Sequence, residues 1–235
     1  MEIQDLIKIY EKYKQKYKSE AYKHISELFD EAKIIYKKDW LKKPSPGKDF
    51  EQSWKPFKGH NLENLILYII QKEIEVLGLK VVSGSKFEKT KPENLTEELS
   101  RVKRNVSVDF GEFGLHPPDV DLVIYDPQNC EVIAILSSKV TLRERIAQTG
   151  YWKIKLFNNA ATKNIKVFFF TLDEDGDLCI KKPAKKSRAI VEVDTDGSYV
   201  MSNKEIEESN KVKKFDKFLI DLQNLIYAKR NKPQK

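Results

Sequence analysis

The chain has 235 residues with 43 basic and 36 acidic side chains, which gives a formal net charge of +7. A hydrophobic content of 40% supports a folded core, and the length suits one α/β domain with additions or two small domains. No apolar run reaches about 18 residues and the first residues are charged, so we expect neither a membrane span nor a signal peptide.

The two cysteines bear on the cellular location, and the charge balance bears on the class of partner. Cys130 and Cys179 have neither metal-site nor disulfide spacing, so we expect a reducing, cytoplasmic location. The modest positive charge is compatible with a polyanionic partner and is equally explained by a lysine-rich composition.

The first half of the chain is predicted to be largely helical. Helical periodicity covers residues 1–40. After a break containing prolines and a glycine, Asn61 is expected to cap a helix that ends at Gly78. Residues 79–83 predict a short strand. Residues 84–106 are polar and lack a period, so they predict a long surface excursion.

The middle of the chain predicts strands around one helix. DVDLVIYD (119–126) and EVIAILSSK (131–139) are separated by the turn sequence DPQN, which predicts an antiparallel hairpin. Thr141 can cap a helix that runs to about Asn159. The apolar run IKVFFFTL (165–172) predicts a strand buried on both faces and therefore central.

The last third predicts a small hairpin and a final helix. Residues 188–202 contain an Asp-Gly turn, and residues 203–229 carry the apolar face of a helix. The order of elements predicts an α/β fold with a mixed central sheet flanked by helices. We divide the chain into a helical N-terminal region (1–58), a core (59–202), and a C-terminal helix and tail (203–235).

Charged side chains gather at the ends of the two predicted hairpin strands. Asp119 and Asp121 project to one face, as do Ser137 and Lys139, because strand residues two apart share a face. If the hairpin turns around residue 128, Asp119 lies opposite Ser137 and the acids converge with the lysine. Carboxylates hold a hard cation such as Mg²⁺, and a nearby lysine can orient or deprotonate the attacking water and balance phosphate charge. The alternative is a set of surface acids at a hairpin end.

These residues resemble the PD-(D/E)xK nucleases, which include most type II restriction endonucleases. The resemblance rests on PD at 118–119 and SSK at 137–139, and it covers roughly residues 59–172. It implies a restriction-endonuclease-like core, Mg²⁺ as cofactor, and Asp119, Asp121 and Lys139 as catalytic residues, with both aspartates as metal ligands. Ser137 stands where the family pattern has an acid.

A carboxylate must then come from elsewhere. Some restriction enzymes that cut CCGG-type sites share the Ser-x-Lys form and use an acid about a dozen residues beyond the lysine. That region here reads TGYWKIK (149–155) and contains no acid. The candidates are Glu63, on the upstream helix, and Glu144. We place Glu63 among the catalytic residues and metal ligands, although the helix dipole also favours an acid in a first turn.

The segment KVTLRERIAQ (139–148) resembles the Lys-x-Thr-x-(Lys/Arg)-(Asp/Glu)-Arg segment of restriction enzymes that read CCGG or CCNGG-like sites. In those families the arginine and the acid contact C·G pairs, since a guanidinium donates to guanine and a carboxylate accepts from cytosine N4. The resemblance implies that Arg143, Glu144, Arg145 and Gln148 bind DNA, and assigning Glu144 to recognition weakens it as a metal ligand. The alternative is a solvated charged turn.

The leading prediction is a site-specific type II restriction endonuclease that hydrolyses double-stranded DNA with Mg²⁺. A DNA repair or junction-resolving nuclease of the same fold is one alternative. A DNA-binding module on an inactive nuclease fold is another, favoured by Ser137. Palindromic sites favour a homodimer, and a cognate DNA methyltransferase is expected in the same system.

Overall fold

A computed structural model describes residues 1–44, 46–47, 49–142 and 145–231, without the side chains of Pro92 and Arg145. The strands of these residues are β1 (Lys80–Ser83), β2 (Val108–Asp109), β3 (Leu115–His116), β4 (Leu122–Asp126), β5 (Glu131–Lys139), β6 (Lys166–Thr171), β7 (Gly197–Val200) and β8 (Val212–Lys214). The α-helices are α1 (Ile3–Tyr17), α2 (Ile25–Lys42), α3 (Phe50–Val76), α4 (Ser85–Lys89), α5 (Glu97–Val106), α6 (Arg145–Phe157), α7 (Lys186–Asp194) and α8 (Phe218–Arg230).

A mixed sheet forms the centre of the described chain. Its strand order is β1-β4-β5-β6-β7-β8, while β2 and β3 form a separate ribbon. β1, β4 and β5 pair antiparallel, whereas β5, β6, β7 and β8 pair parallel. The predictions of a mixed sheet, of the β4–β5 hairpin and of a central β6 are confirmed.

β6 is central because both of its faces are covered. Phe168 and Phe170 pack in the apolar cluster that includes α1, α2 and α3, and the ring centroids of Phe170 and Phe218 are 4.7 Å apart. Phe169 packs on the other face with Ile146 and Val191. The sheet is therefore a middle layer between helices, as its continuous apolar sequence predicts.

The long helix α3 begins earlier than predicted. Asp49 and Gln52 form a capping box: the Asp49 carboxylate accepts from the Gln52 backbone N–H at 2.7 Å. Asn61, the predicted N-cap, lies inside the helix, where its side-chain amide donates to the Phe57 carbonyl at 2.9 Å. The predicted start was wrong because the helix extends N-terminally from Asn61 through Pro56 to Phe50.

Two segments differ from the predictions because tertiary packing overrides local pattern. Residues 84–106 contain α4 and α5, and Val102 and Val106 of α5 are buried against the sheet, so this segment is not only a surface excursion. Residues 188–202 contain α7 followed by β7, which pairs parallel with β6 rather than forming a hairpin.

The C-terminal segment adds to the sheet before its helix. The last helix begins at Phe218 rather than near residue 203, because β8 precedes it and pairs with β7. The division of the chain at residues 58 and 202 stays a prediction; α3 runs across the first position, and β8 extends the core sheet beyond the second. Within the described residues, no helix is long and apolar enough to cross a membrane.

Candidate active site

The register of the β4–β5 hairpin decides which aspartate faces the lysine. Leu122 faces Leu136, and the Asp121 backbone N–H donates to the Leu136 carbonyl at 3.0 Å. The predicted register is therefore wrong by two residues. Asp121 rather than Asp119 lies beside the last residues of β5. The loop closes between Asp126 and Glu131, and an irregularity beside Ile124 shifts the pairing further.

The Asp121 carboxylate is the centre of a compact polar cluster. Its Oδ2 accepts from the Ser138 backbone N–H at 2.5 Å and from the Ser138 hydroxyl at 3.1 Å. The same oxygen lies 2.9 Å from Lys139 Nζ, with the Asp121 and Lys139 side chains 13% and 20% exposed. These contacts hold a carboxylate and an ammonium group at the edge of the sheet, as a charge-assisted pair.

Glu63 reaches the same cluster from α3. Its helix neighbours Leu62, Leu65 and Ile66 are buried in the core, which fixes this turn of α3 against the sheet. Burial, and after it the negative charge of Asp121 and a hydrogen bond with it, together raise the pKa of Glu63 to about 8. Two carboxylates in one site disfavour each other's charged form, so Glu63 holds its proton at neutral pH in the metal-free protein.

Asp119 has a different partner. Its Oδ2 accepts from the side-chain amide of Gln148 at 2.6 Å, on the exposed surface at the start of α6. Its charge still reaches Glu63, where it is the smallest of the named causes that raise the pKa of Glu63. The predicted meeting of both aspartates with Lys139 is thus found for Asp121 and not for Asp119.

The predicted recognition segment is only partly described. Arg143 and Glu144 lie outside the described residues, and Arg145 is the first residue of α6. Gln148 is exposed and is tied to Asp119. α6 therefore starts beside the β4–β5 hairpin.

A cavity of about 420 Å³ adjoins Glu63 and Lys139 and was not predicted from the sequence. Lys58 and Glu174 form an ion pair at 2.6 Å in its wall. Its other lining residues are Lys33, Glu51, Trp54, Lys55, Gly59, Ser138, Val140 and Thr141. No local sequence signal links α2 and α3 to the end of β5, because only the fold brings these segments together.

The donor set of the site is small. Within the part of the chain that the structure describes, no group of three or more His, Cys, Asp or Glu side chains has the arrangement of a metal site. Glu63 and Asp121 are the two carboxylates that meet, and Lys139 supplies the positive charge beside them.

The architecture is that of the restriction endonucleases. The structure is similar to a specific AgeI–DNA complex, with a TM-score of 0.58, 15% sequence identity, and coverage of 95% of this chain and 91% of the other. It is also similar to a PspGI–substrate DNA complex, with a TM-score of 0.52, 14% identity, and coverage of 95% and 93%. At these identities the likeness establishes the fold.

Sequence comparison identifies the family within that fold. The family described as BsaWI restriction endonuclease type 2 matches residues 98–221. MjaVIP of Methanocaldococcus jannaschii, named as a type II restriction enzyme, is 33% identical over 228 residues, covering 94% of this chain and 93% of its own. HpyAORF263P of Helicobacter pylori, also named as a type II restriction enzyme, is 42% identical over 90 residues, covering 37% of this chain and 45% of its own.

The chain belongs to the BsaWI family of type II restriction endonucleases. The predicted resemblance, fold class and enzyme class are confirmed, and restriction is favoured over repair or junction resolution.

Proposed function

We propose that this enzyme hydrolyses phosphodiester bonds of double-stranded DNA in a Mg²⁺-dependent reaction at Glu63, Asp121 and Lys139. The observation that carries the proposal is the contact of the Asp121 carboxylate with Lys139 Nζ at 2.9 Å, next to a second carboxylate on α3. Phosphodiester hydrolysis requires both negative ligands for a metal ion and positive charge near the phosphate.

The residues present fit a divalent cation. Glu63 and Asp121 offer hard oxygen ligands, and Mg²⁺ sites commonly use one or two carboxylates, with water and phosphate oxygens as the other ligands. The raised pKa of Glu63 reflects its burial first and repulsion from Asp121 second, and positive charge between the two carboxylates would relieve that repulsion. When bound there, Mg²⁺ supplies a Lewis acid that stabilises charge on the phosphate and lowers the pKa of bound water.

The chain's own residues position these charges. Ser138 donates twice to Asp121 Oδ2, which fixes the carboxylate against the end of β5. Lys139, held by Asp121, places its ammonium group where it balances phosphate charge and orients the attacking water.

The segment from Arg143 to Gln148, whose last four residues lie in α6, is proposed to read the DNA bases. Arg143, Glu144, Arg145 and Gln148 provide guanidinium, carboxylate and amide groups, the types that bind C·G and A·T edges in the major groove. The Asp119–Gln148 hydrogen bond supports this role, because it connects this helix with the catalytic hairpin. The proposal also includes a CCGG-like recognition site, a homodimer that matches a palindrome, a cytoplasmic location and a partner DNA methyltransferase.

Digestion of an unmethylated plasmid of known sequence tests the proposed function. We expect discrete fragments with Mg²⁺ and none with EDTA, and sequencing of the ends then gives the site and the cut position. A smear instead of discrete fragments would favour a nuclease without site specificity. Tight DNA binding without any cutting would favour a DNA-binding module on an inactive fold, which the serine at position 137 permits.

A further inference from the structure

The segment between β6 and α7, residues 172–185, leaves the sheet at the same edge as Lys139. In the parallel register of β5 and β6, Lys139 faces Thr171, the last residue of β6. The Glu174 backbone N–H donates to the Val140 carbonyl at 3.4 Å, and Glu174 shares the lining of the active-site cavity with Lys139. This segment, the β6–α7 loop, therefore begins beside the catalytic lysine.

A buried arginine fixes the far end of the loop. Arg188 is fully buried, and its guanidinium donates to the carbonyls of Leu178 and Glu207 and to the Glu192 carboxylate. Each of these bonds uses a charged donor, so together they hold the loop against the segment before β8 more firmly than neutral hydrogen bonds would.

A buried aspartate fixes the near end. Asp173 is fully buried, and its carboxylate accepts from the backbone N–H groups of Asp177 and Leu178 at 2.8 and 3.0 Å. Lys204 Nζ donates to the carbonyls of Asp173 and Glu174 at 3.0 and 2.6 Å. The loop is thus ordered before any ligand binds.

The two halves of the ordered loop carry opposite charge: the first half contains Asp173, Glu174, Asp175 and Asp177, and the residues after Ile180 present positive charge to solvent. Residues 180–186 form an unbroken exposed run that contains Lys181, Lys182, Lys185 and Lys186. Lys185 pairs with Asp177 at 2.9 Å, whereas Lys181, Lys182 and Lys186 form no ion pair within the described residues.

This charge opposes local stability. Lys186 is the first residue of α7, where a cation is unfavourable because the helix dipole is positive at that end. Neighbouring lysines on a rigid loop also repel one another. Neither helix stability nor an ion pair within the described residues explains the presence of three lysines at these positions. Binding to an external polyanion does explain it.

We propose that Lys181, Lys182 and Lys186 of the β6–α7 loop bind backbone phosphates of the DNA beside the scissile phosphate. The inference rests on the proposed function, because it takes double-stranded DNA as the ligand. Lysine binds phosphate as a point charge, so the loop contributes affinity without base readout. Anchoring through Arg188 and Asp173 lowers the ordering cost of binding.

The test compares two triple variants of the full-length chain that lose the same charge. The loop variant is Lys181→Gln with Lys182→Gln and Lys186→Gln. The control replaces exposed cations at the opposite edge of the sheet, near the β4–β5 turn and the start of β6: Arg104→Gln with Lys163→Gln and Arg230→Gln. Binding to cognate and scrambled duplexes is titrated in EDTA across a salt series from about 50 to about 200 mM.

For the loop variant we expect the slope of log K against log salt to fall by about one unit per phosphate contact, so by about two to three units. The loss should be alike for both duplexes and roughly tenfold per contact near 0.1 M salt, with little change for the control. Equal slopes in the two variants, or a loss confined to the cognate duplex, would overturn the inference. Binding is measured without metal. A wild-type protein that fails to cut DNA would therefore contradict the proposed nuclease activity and would not affect the test of the lysine contacts.

Discussion

The Asp119 carboxylate accepts a hydrogen bond at 2.6 Å from the side chain of Gln148, which lies in the first turn of α6. Two residues later, Asp121 contacts Lys139 at 2.9 Å. The two acids at the end of the hairpin therefore contact different partners: Asp119 bonds to α6, and Asp121 bonds to Lys139.

This separation predicts unequal effects of substitution. Asp121→Asn should abolish Mg²⁺-dependent cleavage, a loss of roughly 10³-fold or more, because it removes a negative ligand and the partner of Lys139. Asp119→Ala should retain metal-dependent cutting and lose mainly selectivity between cognate and near-cognate sites. Single-turnover cleavage rates with Mg²⁺ on both substrates measure the difference.

Gln148→Ala serves as the matched control for Asp119→Ala. If the hydrogen bond carries the effect, the double variant should be no worse than either single variant. Additive losses would show that the two side chains act separately, and complete inactivity of Asp119→Ala would make Asp119 a metal ligand.

Lys139→Ala should abolish cleavage and leave DNA binding largely intact. The ammonium group contacts Asp121 at the end of β5, where we propose that it balances phosphate charge during the reaction, whereas ground-state binding would depend on many other cations. Gel-shift titration and cleavage of the same duplex separate the two properties. Lys163→Ala, at an exposed lysine before β6, is the control. Cleavage at the wild-type rate by Lys139→Ala would contradict the assignment of the active site to this cluster.

Glu63→Gln should lower the cleavage rate at least about 10²-fold, on the scale of losing one group that stabilises transition-state charge. The glutamine keeps the shape of the side chain, so unfolding by urea should show an intact fold. An unchanged rate in a folded variant would shift the search for the second carboxylate to Glu144.

Glu63 should also make the stability of the metal-free enzyme depend on pH. The folded protein holds this proton with a pKa of about 8, above the ordinary value of 4.5. The resulting stabilisation is present below the unfolded pKa and is lost as pH rises through the folded pKa. The Glu63 side chain is 28% exposed, so solvent screening reduces this effect. Between the unfolded and the folded pKa, the free energy of unfolding of Glu63→Gln should rise by about 1–2 kcal/mol relative to that of the wild type.

Urea unfolding in EDTA at several pH values measures this gain, because other titrating groups cancel between wild type and variant. A constant difference in the free energy of unfolding from acid to mildly basic pH would show that Glu63 is not held protonated in the folded protein.

Arg145→Ala should weaken specific DNA binding by roughly 1–3 kcal/mol and change binding to unrelated duplex far less. A guanidinium that donates to guanine contributes to the cognate site, whereas phosphate contacts carry the non-specific affinity. Competition titrations at two salt concentrations, with Arg143→Ala and Glu144→Ala alongside, distinguish base readout from backbone contact. Equal losses on both duplexes for Arg145→Ala and Glu144→Ala would make the segment a charged surface.

The local sequence predicted the strands whose residues are buried along nearly the whole strand. The apolar run at β6 predicted a central strand, and the turn sequence DPQN between two apolar runs predicted the hairpin. The same reasoning failed at α7, where the Asp-Gly turn sequence suggested a hairpin over residues 188–202. Arg188 and Val191 are buried three residues apart, a helical spacing that becomes visible only once the partners of Arg188 are known.

The amino-acid sequence alone established the residue types of the site: acids before one strand, a lysine at the end of the next, and an Arg-Glu-Arg triplet after it. The tertiary structure was needed to show which acid meets Lys139, because a shift of two residues in a hairpin preserves the face and changes the neighbour. Glu63, the cavity and the β6–α7 loop likewise join segments far apart in the chain. Their proximity depends on how helices pack on the sheet, which no local pattern encodes.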